Sequence, residues 1–263
     1  MQIDQLLDKV PLWVIFIITC FITILSLKIG NIAGRHRRKK LGDEKEGPVG
    51  SVVGAMLGLL AFIMAFTFGM TAERFQTRKS LLLDEVNAIA TAYLRTDILT
   101  EPERSVVKEL MREYVDIRAN ISTDPIELKK AIERSEEIQK KIWAHVMSFA
   151  ETHRDSDTTA LIVESMNEVF DLHTSRVTVG LSYRIPWVIW LMLYLISIIT
   201  MVSVGFQFGL SGVDDIQINI LLTICFSLVI LLIADLDTRT KGLLKVSQKP
   251  MVELQQKLHK STQ

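Results

Sequence analysis

Residues 48–95 read PVGSVVGAMLGLLAFIMAFTFGMTAERFQTRKSLLLDEVNAIATAYLR, and this stretch decides the fold. Residues 48–72 contain no Asp, Glu, Lys or Arg, whereas residues 73–95 are rich in charge. Between residues 49 and 95 there is no proline. Because no breaker separates the two parts, the stretch predicts one helix that crosses a bilayer and continues into water. Two uses of such a helix stay open, namely lining a pore and relaying a signal from lipid to an extramembrane domain.

The charges of the whole chain are balanced, with 30 basic and 30 acidic residues, but they are unevenly distributed. Residues 10–27, 185–213 and 216–234 also contain no Asp, Glu, Lys or Arg. A helix needs about 20 apolar residues to cross a bilayer. The sequence therefore predicts four transmembrane helices: spans at about 11–30 and 48–72, and a second pair within 185–234.

This order predicts an all-α membrane protein with two transmembrane hairpins and the lipid bilayer as its first partner. The hairpins occupy residues 1–72 and 185–234, and a tail follows at 235–263. Residues 73–184 form an extramembrane helical bundle inserted between spans two and three, because their apolar residues recur at helical spacing. This region holds 16 basic and 20 acidic residues, so it lacks the basic footprint of a nucleic-acid-binding protein.

Two motifs predict helix starts within the bundle. Thr100 and Glu103 have the spacing of a capping box, which predicts Thr100 as the N-cap. Asp124 precedes Pro125, which suits the first position of a helix.

The tail carries a short amphipathic pattern after Pro250, formed by Met251, Leu254 and Leu258. We expect this segment to dock on the helical bundle. We also expect Asp235 and Asp237, at the end of the fourth span, to pair with basic residues such as Arg74 or Arg78.

Small residues recur at steps of three and four along the second span and define one helix face. Small residues let transmembrane helices approach closely. Two interpretations stay open: packing against another span of the same chain, or packing between subunits around a symmetry axis. The stripe consists of Gly50, Gly54, Gly58, Ala61, Ala65 and Gly69.

A column of bulky apolar residues, Phe62, Phe66 and Met70, runs beside this small-residue stripe at four-residue spacing. Such a column faces lipid in many helices. If several subunits surround an axis, the same residues form stacked hydrophobic rings that gate ions by dewetting. We therefore treat these three residues as pore or gate candidates.

Polar residues beyond the spans are candidates for a relay or for ion coordination, with surface solvation and inter-helix hydrogen bonding as the alternatives. Asp84 and Glu85 are adjacent and point about 100° apart on a helix, so they do not form a general acid–base pair. A second polar group, Asn167 to Arg176, includes His173. The relay candidates are Glu73, Arg74, Asp84, Glu85, Asn87 and Asp237.

The sequence predicts neither an enzyme nor a cofactor. His145, His153 and His173 lack metal-ligand spacing, so no metal site is predicted. The chain also lacks a nucleophile-elbow motif, a phosphate-binding glycine loop and a Cys-x-x-Cys motif.

Four runs resemble the bestrophin-like family of bacterial membrane proteins: GAMLGLLAFIMAFTFGMTAERF at 54–75, LDEVNAIATAYLR at 83–95, NEVFDLHTSRV at 167–177 and DLDTRTKGLLKVS at 235–247. The resemblance implies a multi-pass protein of the bacterial inner membrane. More distantly, it implies the architecture of bestrophins, which are homopentameric chloride channels whose second helix lines a neck with bulky apolar rings. Phe62, Phe66 and Met70 match those rings.

The function of the chain is an expectation drawn from the sequence and from the resemblance. We expect an oligomeric channel that conducts ions, with anions such as chloride implied by the resemblance, and a membrane-anchored scaffold or sensor as the alternative.

Six Lys and Arg residues lie within 31–47 and one precedes the first span, which predicts a cytoplasmic loop there. The resemblance to bestrophins implies the opposite orientation.

Overall fold

A computed structural model describes residues 10–41, 48–153, 157–181, 183–212, 215–238 and 242–260 of the chain. Within these ranges the regular structure is helical, with no strand. Four of the helices are long and apolar enough to cross a membrane. The helices are α1 Leu12–Leu41, α2 Val49–Arg95, α3 Glu103–Ala119, α4 Pro125–Thr152, α5 Asp157–Leu181, α6 Trp187–Ser211, α7 Ile216–Asp237 and α8 Lys249–Lys260, with a 3₁₀ turn at Thr96–Ile98.

The chain divides into two compact units. The first comprises Met1–Phe75 and Arg184–Leu244, and the second comprises Gln76–Tyr183 and Lys245–Gln263. Helix α2 contributes residues to both units without a break, because 47 consecutive residues keep helical geometry. The predicted continuity of this helix across the change from apolar to charged residues is therefore confirmed.

The first helix does not end with its apolar segment. A loop was predicted from residue 31, but α1 continues to Leu41, so Arg35 and the basic residues up to Lys40 lie on the helix. No proline interrupts the chain between residues 12 and 41. Charged residues of this type are good helix formers, so the change in polarity does not stop the helix. The rest of the predicted loop, 42–47, lies outside the described residues.

Helices α1 and α6 of the first unit are packed backbone to backbone through glycines. Gly30 and Gly34 on α1 lie against the backbone of α6, and Gly205 and Gly209 on α6 lie against the backbone of α1. A Cβ atom added to Gly34 would lie 3.0 Å from the Cα atom of Gly209, and one added to Gly205 would collide with the carbonyl oxygen of Leu27. Each helix carries a G-x-x-x-G pair, the spacing that permits close helix approach in membranes.

The second unit has its own apolar core, built from the C-terminal half of α2 and from α3, α4, α5 and α8. Helix α8 contacts α3 and buries Met251, Leu254 and Leu258 in this core. Midway along α8, Gln255 Nε2 donates a 2.8 Å hydrogen bond to Oδ1 of Asp116. The tail segment thus forms the amphipathic helix that its spacing predicts.

The two predicted helix starts had different outcomes. Asp124 caps α4, because its Oδ1 accepts hydrogen bonds from the backbone N–H groups of Ile126 at 2.9 Å and Glu127 at 3.1 Å. The prediction of Thr100 as the N-cap of α3 was wrong. Helix α3 begins at Glu103, and the Glu101 carboxylate accepts from the backbone N–H of Ser105 at 3.3 Å instead.

Substitution of Gly205 tests the packing of α1 on α6. We expect Gly205→Ala to lower the free energy of unfolding by about 1–3 kcal/mol, because the added methyl group collides with the backbone of α1. Gly180→Ala is the matched control, since a Cβ at Gly180 meets nothing within 4 Å and Gly180 lies outside the small-residue stripe. Thermal unfolding in mild detergent measures both variants. Equal midpoints for the two variants would contradict the assigned packing.

Candidate functional site

The inward face of the second span is formed by residues buried in the first unit. Val53, Leu60, Met64, Thr67 and Thr71 are each less than one-tenth exposed. Thr67 Oγ1 donates to the carbonyl of Ile63 at 2.8 Å, and Thr71 Oγ1 donates to Phe68 O at the same distance. The two hydroxyl groups are therefore satisfied within their own helix. This face packs α2 into the unit and leaves the opposite face free.

The small-residue stripe lies on that opposite face. All six of its residues are exposed, and a Cβ at Gly54, Gly58 or Gly69 would meet nothing within 4 Å. Only Gly50 lies near another helix, with Gln207 Nε2 at 3.1 Å from the added Cβ. Among the described residues, packing of the whole stripe against another span of the same chain is therefore not found. Close approach of a second subunit to this face stays a prediction.

The bulky column is exposed as well. Phe62 is 68% exposed and Phe66 is 63% exposed, while Met70 is half-buried. Two large aromatic rings and a row of small residues thus share the outer surface of one transmembrane helix. Such a face suits either lipid or neighbouring copies of the chain.

The polar residues at the ends of the spans differ in their surroundings. Glu73 is exposed, and Arg74 is half-buried with its Nη1 atom buried and without a hydrogen-bond partner among the described residues. Asp237 Oδ1 accepts a 3.1 Å hydrogen bond from the backbone N–H of Ile185. The pairing of Asp237 with Arg74 or Arg78 stays a prediction.

Asp235 has a different role from the predicted ion pair. Its carboxylate is buried and accepts from the backbone N–H groups of Leu243 at 2.6 Å and Leu244 at 3.1 Å. A Cβ at Gly242 would collide with this carboxylate, so the turn needs glycine there. Asp235 therefore fastens the start of the tail to the end of α7.

The second unit contains a buried ionic cluster centred on Glu85, which lies beyond the apolar segment of α2. Asp84 is exposed and accepts a 3.1 Å hydrogen bond from Ser80 Oγ, whereas the side chain of Glu85 is 0% exposed. The two neighbouring carboxylates point apart, as their adjacency on a helix predicts. Asn87 is also exposed, so Glu85 alone among these three relay candidates enters the interior.

Two helices, α3 and α5, supply the partners of the Glu85 carboxylate. Arg118 on α3 donates from Nε to Oε1 at 3.1 Å and from Nη2 to Oε2 at 3.2 Å. Arg176 on α5 donates from Nη1 to Oε2. Tyr114 OH donates to Oε1 at 2.7 Å. Because both carboxylate oxygens are used, the buried charge has the paired and hydrogen-bonded surroundings that it needs. We call Glu85, Tyr114, Arg118, His173 and Arg176 the Glu85 cluster.

The cluster keeps Glu85 ionised. Burial alone would raise the pKa of this carboxyl group, but the charges of Arg118 and Arg176, with hydrogen bonds from Arg118 and Tyr114, outweigh burial and lower the pKa below its usual value. Two guanidinium groups face one carboxylate, so the cluster carries an excess of one positive charge. Arg176 Nη2 also donates to Oε1 of Gln248 at 3.3 Å, which brings the tail segment to the cluster.

The hydrogen bonds fix the tautomer of His173. Tyr114 has one hydroxyl proton, and its shortest contact is with the carboxylate of Glu85, which can only accept. The 3.0 Å contact between Tyr114 OH and His173 Nδ1 therefore requires Nδ1 to carry a proton and donate it. Burial, followed by the charge of Arg118, lowers the pKa of His173 to about 4. His173 is thus neutral at pH 7, with an unprotonated Nε2 atom.

Sequence reasoning found Glu85, His173 and Arg176 as polar residues but missed Arg118 and Tyr114 as their partners. A signal was available, because Tyr114 and Arg118 lie at the spacing of the buried Val107 and Met111 on α3. An arginine on the apolar face of an amphipathic helix requires a buried partner of opposite charge. Within the described ranges, no group of three or more His, Cys, Asp or Glu side chains is arranged to hold a metal ion.

Removal of the central charge tests the Glu85 cluster. We expect Glu85→Gln to lower the free energy of unfolding by about 3–5 kcal/mol, because two arginines then lose their buried counter-charge. Asp84→Asn is the matched control, since it removes the same charge from an exposed carboxylate next to it. Denaturant unfolding with the helical content as the signal measures both. A loss of similar size in both variants would contradict the structural role of Glu85.

The neutral state of His173 predicts a pH dependence. Because its folded pKa of about 4 lies below the unfolded value of 6.5, the unfolded chain takes up this proton first as the pH falls. Between pH 7 and pH 5, His173 should therefore remove about 2 kcal/mol of stability. Glu85 acts in a lower pH range: because its folded pKa is lowered, its stabilisation is present above the unfolded pKa of 4.5 and is lost as the pH falls below that value.

Unfolding measurements at pH 7 and pH 5 test this expectation. His173→Gln should flatten the pH dependence relative to the wild-type protein, whatever its effect on stability at pH 7. An unchanged slope in His173→Gln would show that this histidine is not held neutral.

Comparison with known proteins shows the family to which the chain belongs. The chain matches the Bestrophin-like domain over residues 15–251. No curated protein matches it. Two crystal structures of a bacterial bestrophin homolog from Klebsiella pneumoniae are similar to it, one of a variant at TM-score 0.68 and 14% identity, the other at 0.66 and 15%. Each comparison covers 94% of this chain and 98% of the other, and at this identity it shows a shared fold. The chain belongs to the Bestrophin-like family.

Proposed function

We propose that this protein is an oligomeric membrane channel for ions whose second transmembrane helix, α2, lines the pore. The outward face of α2 carries the proposal. On it, six small residues and the exposed rings of Phe62 and Phe66 lie on one uninterrupted helix. The small residues permit a second copy of the helix to approach, and the aromatic rings supply the bulk for a constriction.

The oligomer follows from the same face. A cyclic arrangement around an axis brings the α2 helices of neighbouring copies together and repeats each side chain as a ring. Under this proposal Phe62, Phe66 and Met70 form three stacked rings, one helical turn apart. A pentamer is the number that the likeness to bestrophins suggests.

The proposed topology is that of two transmembrane hairpins, 1–72 and 185–234, with the helical domain 73–184 inserted between spans two and three and the tail 235–263 after them. The proposed location is the bacterial inner membrane. Support comes from the four apolar helices and from the family of the chain. Glu73, Arg74, Asp84, Asn87 and Asp237 stay candidates for a polar relay.

Chloride is the ion that we propose, and it rests on the likeness to bestrophins alone. Residues 48–72 offer no charged side chain that would distinguish anions from cations. An apolar constriction gates by excluding water, irrespective of the sign of the ion. Selectivity would therefore arise outside the rings of Phe62 and Phe66.

A single substitution tests the gate. In liposomes, Phe66→Ala should increase chloride efflux several-fold, because a smaller ring widens the constriction and makes it easier to hydrate. Phe21→Ala is the matched control, since Phe21 lies on α1 and is 66% exposed, nearly the same as Phe66. An unchanged or equally raised efflux in the two variants would remove Phe66 from the gate, and wild-type protein that passes no ion would contradict the channel.

A further inference from the structure

The second unit contains an open cleft of about 480 Å³ between α4 and α5. Two aromatic side chains form an apolar wall, since Trp143 and Phe170 meet edge to face with their ring centroids 6.3 Å apart. The lining is completed by polar side chains, among them Gln139, Asn167 and Thr174, and by one acidic and one basic side chain, Glu136 and Lys140. Pockets with an apolar wall and a few polar groups are typical of sites for small organic molecules.

His173 also lines this cleft, and it is only 2% exposed. Its Nδ1 atom is used by Tyr114. Its Nε2 atom is buried and has no hydrogen-bond partner among the described residues. Because Nδ1 carries the proton, Nε2 offers an unused lone pair. A buried acceptor without a partner is unfavourable and is relieved by any group that donates to it.

A second unmatched atom lies in the same cleft. The Nε2 atom of Gln139 is buried and has no hydrogen-bond partner of ordinary geometry within the described part of the chain. The cleft thus presents one unused acceptor and one unused donor. A hydroxyl group or a primary amide satisfies both, because each can donate and accept at once.

The charge around the cleft restricts the ligand further. Behind His173 lie two guanidinium groups, Arg118 and Arg176, and a single carboxylate, Glu85. Their net positive charge disfavours a cationic group at Nε2. A neutral donor has no such penalty.

From this geometry we propose that the cleft between α4 and α5 binds a small neutral molecule with an aromatic or aliphatic body and a hydroxyl or amide group. The body packs on Trp143 and Phe170, and the polar group donates a hydrogen bond to His173 Nε2 and accepts one from Gln139. The proposal goes beyond the channel function, because every group that it uses lies in the second unit.

Phenol and anisole are the probes that test it. Both have the same aromatic ring, but only phenol has an O–H group. In full-length protein with ¹⁵N-labelled histidine rings, the Nε2 resonance of His173 is assigned by its absence from His173→Gln. Saturable displacement of this resonance by phenol, with little or no displacement by anisole, is the expected result.

Two variants show where the probe binds. Thr174→Trp fills the cleft from an exposed position and should abolish the response to phenol. Glu164→Trp places the same side chain on α5 at an exposed position outside the cleft and should leave the response unchanged. No displacement by phenol, equal displacement by both probes, or an undiminished response in Thr174→Trp would overturn the proposal. A cleft covered by a neighbouring subunit would give the first of these results.

Discussion

The buried carboxylate of Glu85 is the constraint on which the second unit depends. Its two oxygens take hydrogen bonds from α3 and α5, and Arg176 extends the network to Gln248 before α8. A charge in this position is tolerated only while all its partners stay in place, so α2, α3 and α5 are held in one register. Glu85 also lies on the same unbroken helix as Phe62 and Phe66. The helix that we propose for the pore therefore also carries the buried carboxylate at the centre of the second unit.

Helix packing in the first unit depends on glycines instead of a buried charge. Helices α1 and α6 come together through Gly30, Gly34, Gly205 and Gly209, with no side chain between their backbones. The small residues of α2 serve no such contact within the described part of the chain, although they have the same spacing. Small residues at this spacing thus lie in a helix–helix contact on α1 and α6, but on an exposed face on α2. This contrast is what makes the outward face of α2 suitable for another subunit.

The sequence predicted those features that depend on composition or local chemistry. Four apolar helices follow from windows without charge, and the cap at Asp124 follows from side-chain chemistry next to a proline. The sequence did not predict which residues that lie far apart along the chain contact each other. The spacing of Tyr114 and Arg118 shows that both lie on the inward face of α3, but no local rule indicates that Glu85 meets them. The end of α1 at Leu41 does not follow from the change in polarity near residue 31. Charged side chains are compatible with helical backbone geometry, so the helix continues through the basic residues.

The central claim is that the exposed face of α2 is a contact between copies of this chain. The mass of the intact protein in mild detergent, measured by native mass spectrometry, tests this claim directly. We expect a closed oligomer with a mass that is a whole multiple of the 29.8 kDa chain, five-fold if the bestrophin number holds. A stable monomer of 29.8 kDa would contradict it, because a single chain would leave the stripe and the Phe62 and Phe66 rings facing lipid alone.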